Sequence, residues 1–492
     1  MKSGCEQEVM TMRIVAAGLL AMTVLVVGTA PVFGQVEGYQ QYFRYVSEYP
    51  LDNSDSGFVD EINGIAHDGD HWYITTSTGG NPSIWKIPVT QNLSNVHVGT
   101  PGVSMVRNDD VVCPTKYGPK NLQTQLKYTH YGDLVAYKHN DKYYLLVPIE
   151  KGIDGHAIAV FLWEEDKKLE CLGYDIVKLN NDDPPWKNNS SAWCAVDKDG
   201  YVYTSPDKWS IPEWNGEAKL IKYSLNWNTF GSDPQYPVQL TYQGVIPLMK
   251  EDGSPLKSVE ISGYPADISG SSQGGEFSPD YKLLYVSSGS CGYPCGEGMD
   301  DELGGIHVFE TDGWRRVARS DKNTSFFLYD FTSGSPVYEE MEGLTIWDLE
   351  EQRASYLDPG LAPFIQGQLH VLLLQNNIPG FPDSLFLFHY TNTTYVDYSA
   401  YGFTPNGTIG RPFNTVGDAL AFYNQNEYFA HGHWTGGRIK IHTGSYPEAL
   451  TFSRRMQIVP WSGKAVVGTQ GRFSLTPGGA ININNGGVLK LY

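Results

Sequence analysis

Five stretches of this chain repeat one pattern: a polar residue, often beside glycine, opens an apolar strand, a tight turn follows, and an aromatic-rich strand returns. They read INGIAHDGDHWYITT from Ile62, YGDLVAYKHNDKYYLLVP from Tyr131, AWCAVDKDGYVYTSP from Ala192, GGEFSPDYKLLYVSS from Gly274, and EGLTIWDLEEQ with GQLHVLLLQ from Glu342. The turns HDGD, KHNDK, DKDG and SPDYK place Asp, Asn or Gly where a hairpin needs them. A third strand follows each hairpin: SIWKIPV, AIAVFLWEE, AKLIKYSL, GGIHVFET and SLFLFHYT. A fourth precedes three of the next hairpins: CLGYDIVKL, QLTYQGVIPL and SFFLYDFT. Four strands recurring every ~60–80 residues predict an all-β fold, a β-propeller, in which no blade can bury both of its faces without neighbours.

The strand count predicts five blades. YQQYFRYVSEYPL, near the expected mature N-terminus, is a strand without a hairpin, and the last blade lacks an outer strand after SLFLFHYT. Adding the first to the second closes the ring and removes two exposed edges. A six-bladed ring, with a degenerate blade between Trp209 and Pro265, is the alternative. Composition agrees with many short strands, since aromatics are 13% of residues and glycine contributes 53.

Arg13 precedes an apolar run from Ile14 to Ala30, and Val32-Phe33-Gly34 then offers a cleavage site before Gln35. Residues 1–34 are therefore expected to be a secretory signal peptide, with an uncleaved anchor as the alternative, followed by a propeller over 35–405 and a separate module over 406–492. The product is expected outside the cytoplasm, secreted or periplasmic, with no membrane span after cleavage. A net charge of −20, from 55 acidic against 35 basic residues, disfavours nucleic acid as a partner.

Export allows disulfides. Cys291 and Cys295, in SCGYPCG, are expected to bridge a short loop. Cys171 and Cys194, on consecutive expected strands, are expected to pair, leaving Cys113 free.

Phrases such as NGIAHDGDHWYIT, GGEFSPDYKLLYVSSG and EGLTIWDL resemble blade hairpins of secreted bacterial propeller proteins, a broad group with NHL, gluconolactonase-like and phytase-like members. The resemblance spans Val36 to Ser399 and implies architecture rather than a reaction. From Arg411 the texture changes. RPFNTVGDALAFYNQ spaces Val416, Ala419, Leu420 and Tyr423 as one face of a short helix. With IKIHTGSYPEALTF, through GSYPE at Gly444 to Glu448, this stretch resembles the start of a pectate-lyase-like parallel β-helix, so a short parallel β-helix-like segment is expected after the propeller.

The polar residues opening the inner strands are the candidate site: Glu61, Asn63, His130, Asp133, Glu276 and Glu342. Their carboxylate, amide and imidazole groups suit a cation, and the resemblance implies an axial Ca²⁺. The same carboxylates could serve hydrolysis, which for a glycosidic bond needs two carboxyl groups about 5–10 Å apart. His431 and His433, in AHGHWTGG, carry a metal-compatible spacing, and Trp186, Trp209 and Trp214 suit either sugar stacking or packing between blades. The sequence thus predicts a secreted propeller that binds an extracellular ligand, with a glycan as one candidate. A hydrolase of a glycoside, ester or lactone is the second reading.

Overall fold

Along the two middle strands of each blade, alternate side chains point to opposite faces, and both faces are largely buried, as a strand packed between two other sheets requires. The computed structural model describes residues 44–48, 57–58, 61–77, 80–164, 168–179, 191–230, 232–258, 268, 271–291, 304–320, 338–352, 367–376, 384–402, 404–425, 437–448, 450–451, 456–461, 464–467, 473–475, 481–483 and 490–491.

Five antiparallel sheets form a five-bladed propeller. Blade 1 is Ile62–His67, His71–Thr76, Ser83–Pro88 and Ser104–Arg107. In blade 2 a split inner strand, His130–Tyr131 and Val135–His139, pairs with Lys142–Glu150, followed by Ala157–Leu162 and Glu170–Ile176. Blade 3 is Ala195–Val196, Tyr201–Thr204, Lys219–Leu225 and Leu240–Pro247. The described residues between Trp209 and Pro265 therefore supply two strands of blade 3 rather than a sixth blade. Blade 4 is Ser272–Phe277, Leu283–Ser288, Gly305–Glu310 and Arg316–Arg319. Its outer strand is thus Arg316–Arg319 rather than SFFLYDFT, which lies outside the described residues. Blade 5 is Tyr338–Ile346, Leu369–Asn376 and Ser384–Thr391, with Arg44–Glu48 antiparallel to the last of these. The N-terminal strand closes the ring as expected.

Alternation decides which neighbour each residue meets. Trp72 and Ile74 pack with Leu372 and Leu385 of blade 5, whereas Tyr73 between them packs with Leu145 and Val147 of blade 2. Leu146 faces Val202 and Ile221 of blade 3, and Tyr203 faces Phe277 and Leu284 of blade 4. Tyr285 faces Val371 and Leu373 of blade 5. One apolar cluster thus sits at each of the five seams.

The seam that joins last blade to first also holds buried polar groups. The His67 ring stacks on Trp347 at 4.6 Å, and its Nε2 donates to the Ile346 carbonyl. Burial pushes the His67 imidazole down to about 4. His370 Nε2 donates to the Trp347 carbonyl, so its Nδ1 accepts from His389 Nδ1 at 2.7 Å. Burial, with the neighbouring His389 ring, likewise holds the His370 imidazole well below its ordinary value, so His67 and His370 are neutral at the closure seam.

One disulfide joins Cys113 to Cys171. This corrects the expected Cys171–Cys194 bridge and the expected free Cys113. The reason is radial: Cys171 lies on the outer strand of blade 2, whereas Cys194 precedes the inner strand of blade 3 and is buried, its thiol donating to the Leu146 carbonyl. Consecutive strands across a blade boundary lie at opposite radii. The Cys291–Cys295 bridge falls outside the described residues.

After Thr391 the chain leaves blade 5, and Thr393–Val396 pairs in parallel with Gly437–Ile441, which pairs in parallel with Met456–Pro460. Gly444–Tyr446 and Ala465–Val467 form a second parallel pair. The next strands, Ile481–Ile483 and Phe473–Leu475, pair antiparallel, so a pectate-lyase-like β-helix is not shown. The expected helix is present over Val416–Gln425, with Val416, Ala419, Leu420 and Tyr423 all buried. Glu448 of GSYPE caps it, its carboxylate accepting from the backbone N–H groups of Val416 and Gly417. This module shares one apolar core with blades 4 and 5. Asp348 reinforces the junction by accepting from Arg438 and from the Gln368 amide.

Deleting residues 39–50 exposes a full strand edge on blade 5 and opens the closure seam. The truncated protein is expected to aggregate or lose cooperative unfolding, measured by light scattering and thermal unfolding. A soluble monomer with an unchanged midpoint would show that this strand does not hold the ring.

Candidate functional site

The inner strands carry irregularities in register just where they approach the axis. The pairing shifts between Ile62 and Gly64, between Ser272 and Gly274, and between Met341 and Leu344. Such bulges bend a strand and re-aim its side chains. Glycine lets the bent strands touch. A Cβ on Gly64 would stand 2.5 Å from the Asp133 Cα, and one on Gly343 would stand 2.2 Å from Asp133 Oδ1 and 2.6 Å from the Gly64 Cα.

Asp133 fills the point where they meet. Its Oδ1 accepts from the Ile65 N–H of blade 1 at 3.0 Å, and its Oδ2 accepts from Gly275 of blade 4 at 3.1 Å and Leu344 of blade 5 at 3.4 Å. Its own N–H donates to the Ala192 carbonyl at the start of blade 3. One residue of blade 2 thus engages every other blade, three through its side chain and blade 3 through its backbone. Burial pushes its carboxyl well above the usual carboxylate range, while the three amides pull against that shift.

This plug divides the six sequence candidates. Glu61, Asn63, His130 and Glu342 lie before it, at the end where the inner strands begin, called here the first mouth. Asp133 is the plug, and Glu276, one residue past Gly275, lies beyond it. The six therefore do not surround one point, and among the described residues no group of three His, Cys, Asp or Glu side chains stands in metal-holding geometry.

At the first mouth, Glu342 is buried and shares a hydrogen bond with Glu340. Burial and the neighbouring Glu340 carboxylate hold Glu342 well above the usual range, so Glu342 carries the proton and donates it to Glu340. Glu61 and Asp133 add negative charge to the same place. Glu61 itself sits at φ 45°, a left-handed conformation uncommon for residues other than glycine and worth notice at a site.

Blade 2 contributes a row across three strands. Glu150 lies directly opposite His130 in register, and His156 immediately precedes Ala157, which pairs with Ile149. His130 Nδ1 lies 3.4 Å from Glu150 Oε2, and His156 Nδ1 lies 3.9 Å from Glu150 Oε1. Glu150 is 6% exposed, yet its Oε1, like both Nδ1 atoms, is buried without a hydrogen bond. His130 and Lys208 lie within electrostatic reach of Glu340, and Lys208 Nζ donates to Ser271 Oγ. Asn63 is spent structurally, its amide donating to Ser77 Oγ at 2.6 Å.

Sequence reasoning missed Glu340, Glu150, His156 and Lys208. Two signals were present: Glu340 and Glu342 are two apart on one strand, and Glu150 ends the otherwise apolar LLVPIE. Of the aromatic candidates, Trp209 is fully buried against Phe309 and so packs in the core, Trp214 lies near Lys219, and Trp186, His431 and His433 fall outside the described residues.

No family model matches the sequence, and no curated protein does. Solved structures similar in fold include the glutaminyl cyclase of Myxococcus xanthus, 9% identical, with 71% of this chain and 99% of that one covered and a TM-score of 0.32. The α-L-arabinanase of Cellvibrio cellulosa is 16% identical over 68% of this chain and 91% of that one, with a TM-score of 0.34. A thermostable family-43 glycoside hydrolase is 14% identical over 69% and 91%, with a TM-score of 0.35. Likeness this low assigns neither activity nor residues to this chain.

Glu276 provides a test that is independent of any ligand. Burial pushes its carboxyl up to about 8, opposed by a hydrogen bond from Thr345 Oγ1 at 3.1 Å. The unfolded chain ionises this group near 4.5, so the folded state holds the extra proton between those values, and stability falls as pH rises from about 4.5 to about 8. Glu276→Gln is expected to remove that loss. Thermal midpoints at about pH 5 and about pH 8.5 check it: the advantage of the variant should grow with pH, and a constant difference would contradict the assignment.

Proposed function

We propose that the chain is an exported hydrolase whose first mouth carries out acid–base chemistry on a small extracellular substrate. The observation that supports this most is the juxtaposition, in one mouth, of a carboxyl pair holding a proton and a histidine whose Nδ1 stands 3.4 Å from a buried carboxylate. Groups whose surroundings set them to opposite protonation tasks are the usual mark of an acid and a base.

In this reading Glu342, with Glu340, is the general acid, and His130, whose Nδ1 side faces Glu150, is the general base acting through its other ring nitrogen. A water gives its proton to His130 as its oxygen attacks the electrophilic carbon. The bond from that carbon to the leaving oxygen breaks, and the leaving oxygen takes the proton of Glu342. A hydrogen-bonded pair of carboxyls is closer than the about 5–10 Å that two separately acting carboxyls need in glycoside hydrolysis. The Glu340–Glu342 pair therefore works as one proton store, which favours ester or lactone hydrolysis over two-carboxylate glycoside cleavage. Export is supported by the Cys113–Cys171 disulfide, which belongs to an oxidising compartment.

A panel of chromogenic esters, lactones and glycosides tests the proposal. Turnover of an ester or lactone is expected, with kcat lowered about 10²–10⁴-fold by Glu342→Gln or His130→Asn at little change in thermal midpoint. Glycan binding without turnover of any substrate would instead establish the extracellular binding scaffold. Turnover indifferent to both substitutions would place the chemistry elsewhere.

A further inference from the structure

The first mouth is crowded with carboxyl groups: Glu61, Glu340 and Glu342 reach one another electrostatically, Glu150 faces His130 and His156, and Asp207 reaches His156. Against them stands Lys208, already donating to Ser271 Oγ. Such a mouth repels anions, and its repulsion is relieved in part by the proton between Glu340 and Glu342 and in part by His130 and Lys208.

The second observation is independent of that charge. Glu150 is more than nine-tenths buried, and its Oε1 has no hydrogen bond, with His156 Nδ1 standing 3.9 Å away. An orphaned carboxylate oxygen inside protein is costly, and it is an acceptor only, so what satisfies it must be a donor. A donor that also offsets the surrounding carboxylates is a positively charged one. The geometry is not that of a metal centre, since the two imidazoles approach different oxygens of Glu150 instead of one common point.

We infer that the first mouth recognises an organic cation, an ammonium or guanidinium group carried by the substrate, with Glu150 Oε1 as its primary acceptor and the Glu340–Glu342 pair as a second, proton-exchanging one. This deepens the hydrolase reading by naming the charge class of its substrate, and it rests on that reading's choice of mouth. Binding of the cation displaces the shared proton, because the positive charge takes over the task of separating the two carboxylates. Affinity therefore rises with pH, and protons leave the protein on binding.

Titration calorimetry with D-glucosamine and agmatine as cationic probes, N-acetyl-D-glucosamine as the neutral partner and D-glucuronate as the anionic one tests this without any turnover. Both cations are expected to bind, the neutral sugar more weakly by about tenfold or more, and glucuronate not measurably. Repeating the titration in buffers of different ionisation enthalpy is expected to show proton release. Glu150→Gln is expected to weaken both cations by about tenfold. Glu340→Gln, at a less buried position, is expected to abolish proton release and serves if Glu150→Gln does not fold. Equal affinity for glucosamine and its N-acetyl form, no binding of either cation, or indifference to both substitutions overturns the inference. Cation binding without hydrolysis of any substrate would sink only the enzymatic reading.

Discussion

The carboxylate of Asp133 is the interaction on which this ring depends. A five-bladed propeller must bring five inner strands to one axis, and each strand that bends inward leaves a backbone N–H unable to reach a ladder partner. Buried amides of that kind need acceptors. Asp133 supplies two oxygens that take the N–H groups of Ile65, Gly275 and Leu344, from blades 1, 4 and 5, while its own N–H reaches Ala192 ahead of blade 3. The glycines around it are the steric condition for this closeness, since a methyl group at Gly64 or Gly343 would overlap the carboxylate or its neighbours.

Two consequences follow for chemistry. Asp133 and the close strand contacts around it stand between Glu342 and Glu276, which therefore sit in different surroundings. Glu342, on one side, shares a proton with Glu340, whereas Glu276, on the other, has Thr345 as its hydrogen-bonding partner and takes its shift from burial. The Asp133 carboxyl also lies within electrostatic reach of Glu342 and adds to the upward shift of that group. The closure of the ring and the acid of the proposed site are thus linked through one residue. The C-terminal module lies outside this arrangement. It extends the apolar seam between blades 4 and 5 through Val396, Ile439 and Ile458.

Much of the fold was legible because propeller blades repeat what a single hairpin already states: period-two burial and turn residues at fixed offsets. Alternation in a stretch such as HWYITT carries both seams at once, since Trp72 and Tyr73 face different neighbours. Radius was not legible. Cys171 and Cys194 are near in order yet sit on the outer side of blade 2 and the inner side of blade 3, so adjacency along the chain misled the disulfide pairing. The site was legible in part. Polar residues opening inner strands did collect Glu61, His130 and Glu342 at one mouth, but the same rule also gathered Asp133 and Glu276, because a bulge shifts the face that a residue presents and no periodicity records its depth along the axis. Glu150 and His156 are set by cross-strand register, which brings Glu150 opposite His130, 20 positions away in the chain.

The most direct measurement is the chemical denaturation of Asp133→Asn beside Asp133→Ala. Asn preserves shape but replaces one acceptor oxygen with an N–H₂ group facing backbone donors. If the carboxylate holds the axis, the isosteric variant should lose about 3 kcal/mol or more, approaching the loss in the alanine variant. An asparagine variant within about 0.5 kcal/mol of the natural protein would contradict the account, because side-chain shape alone would then suffice to close the ring.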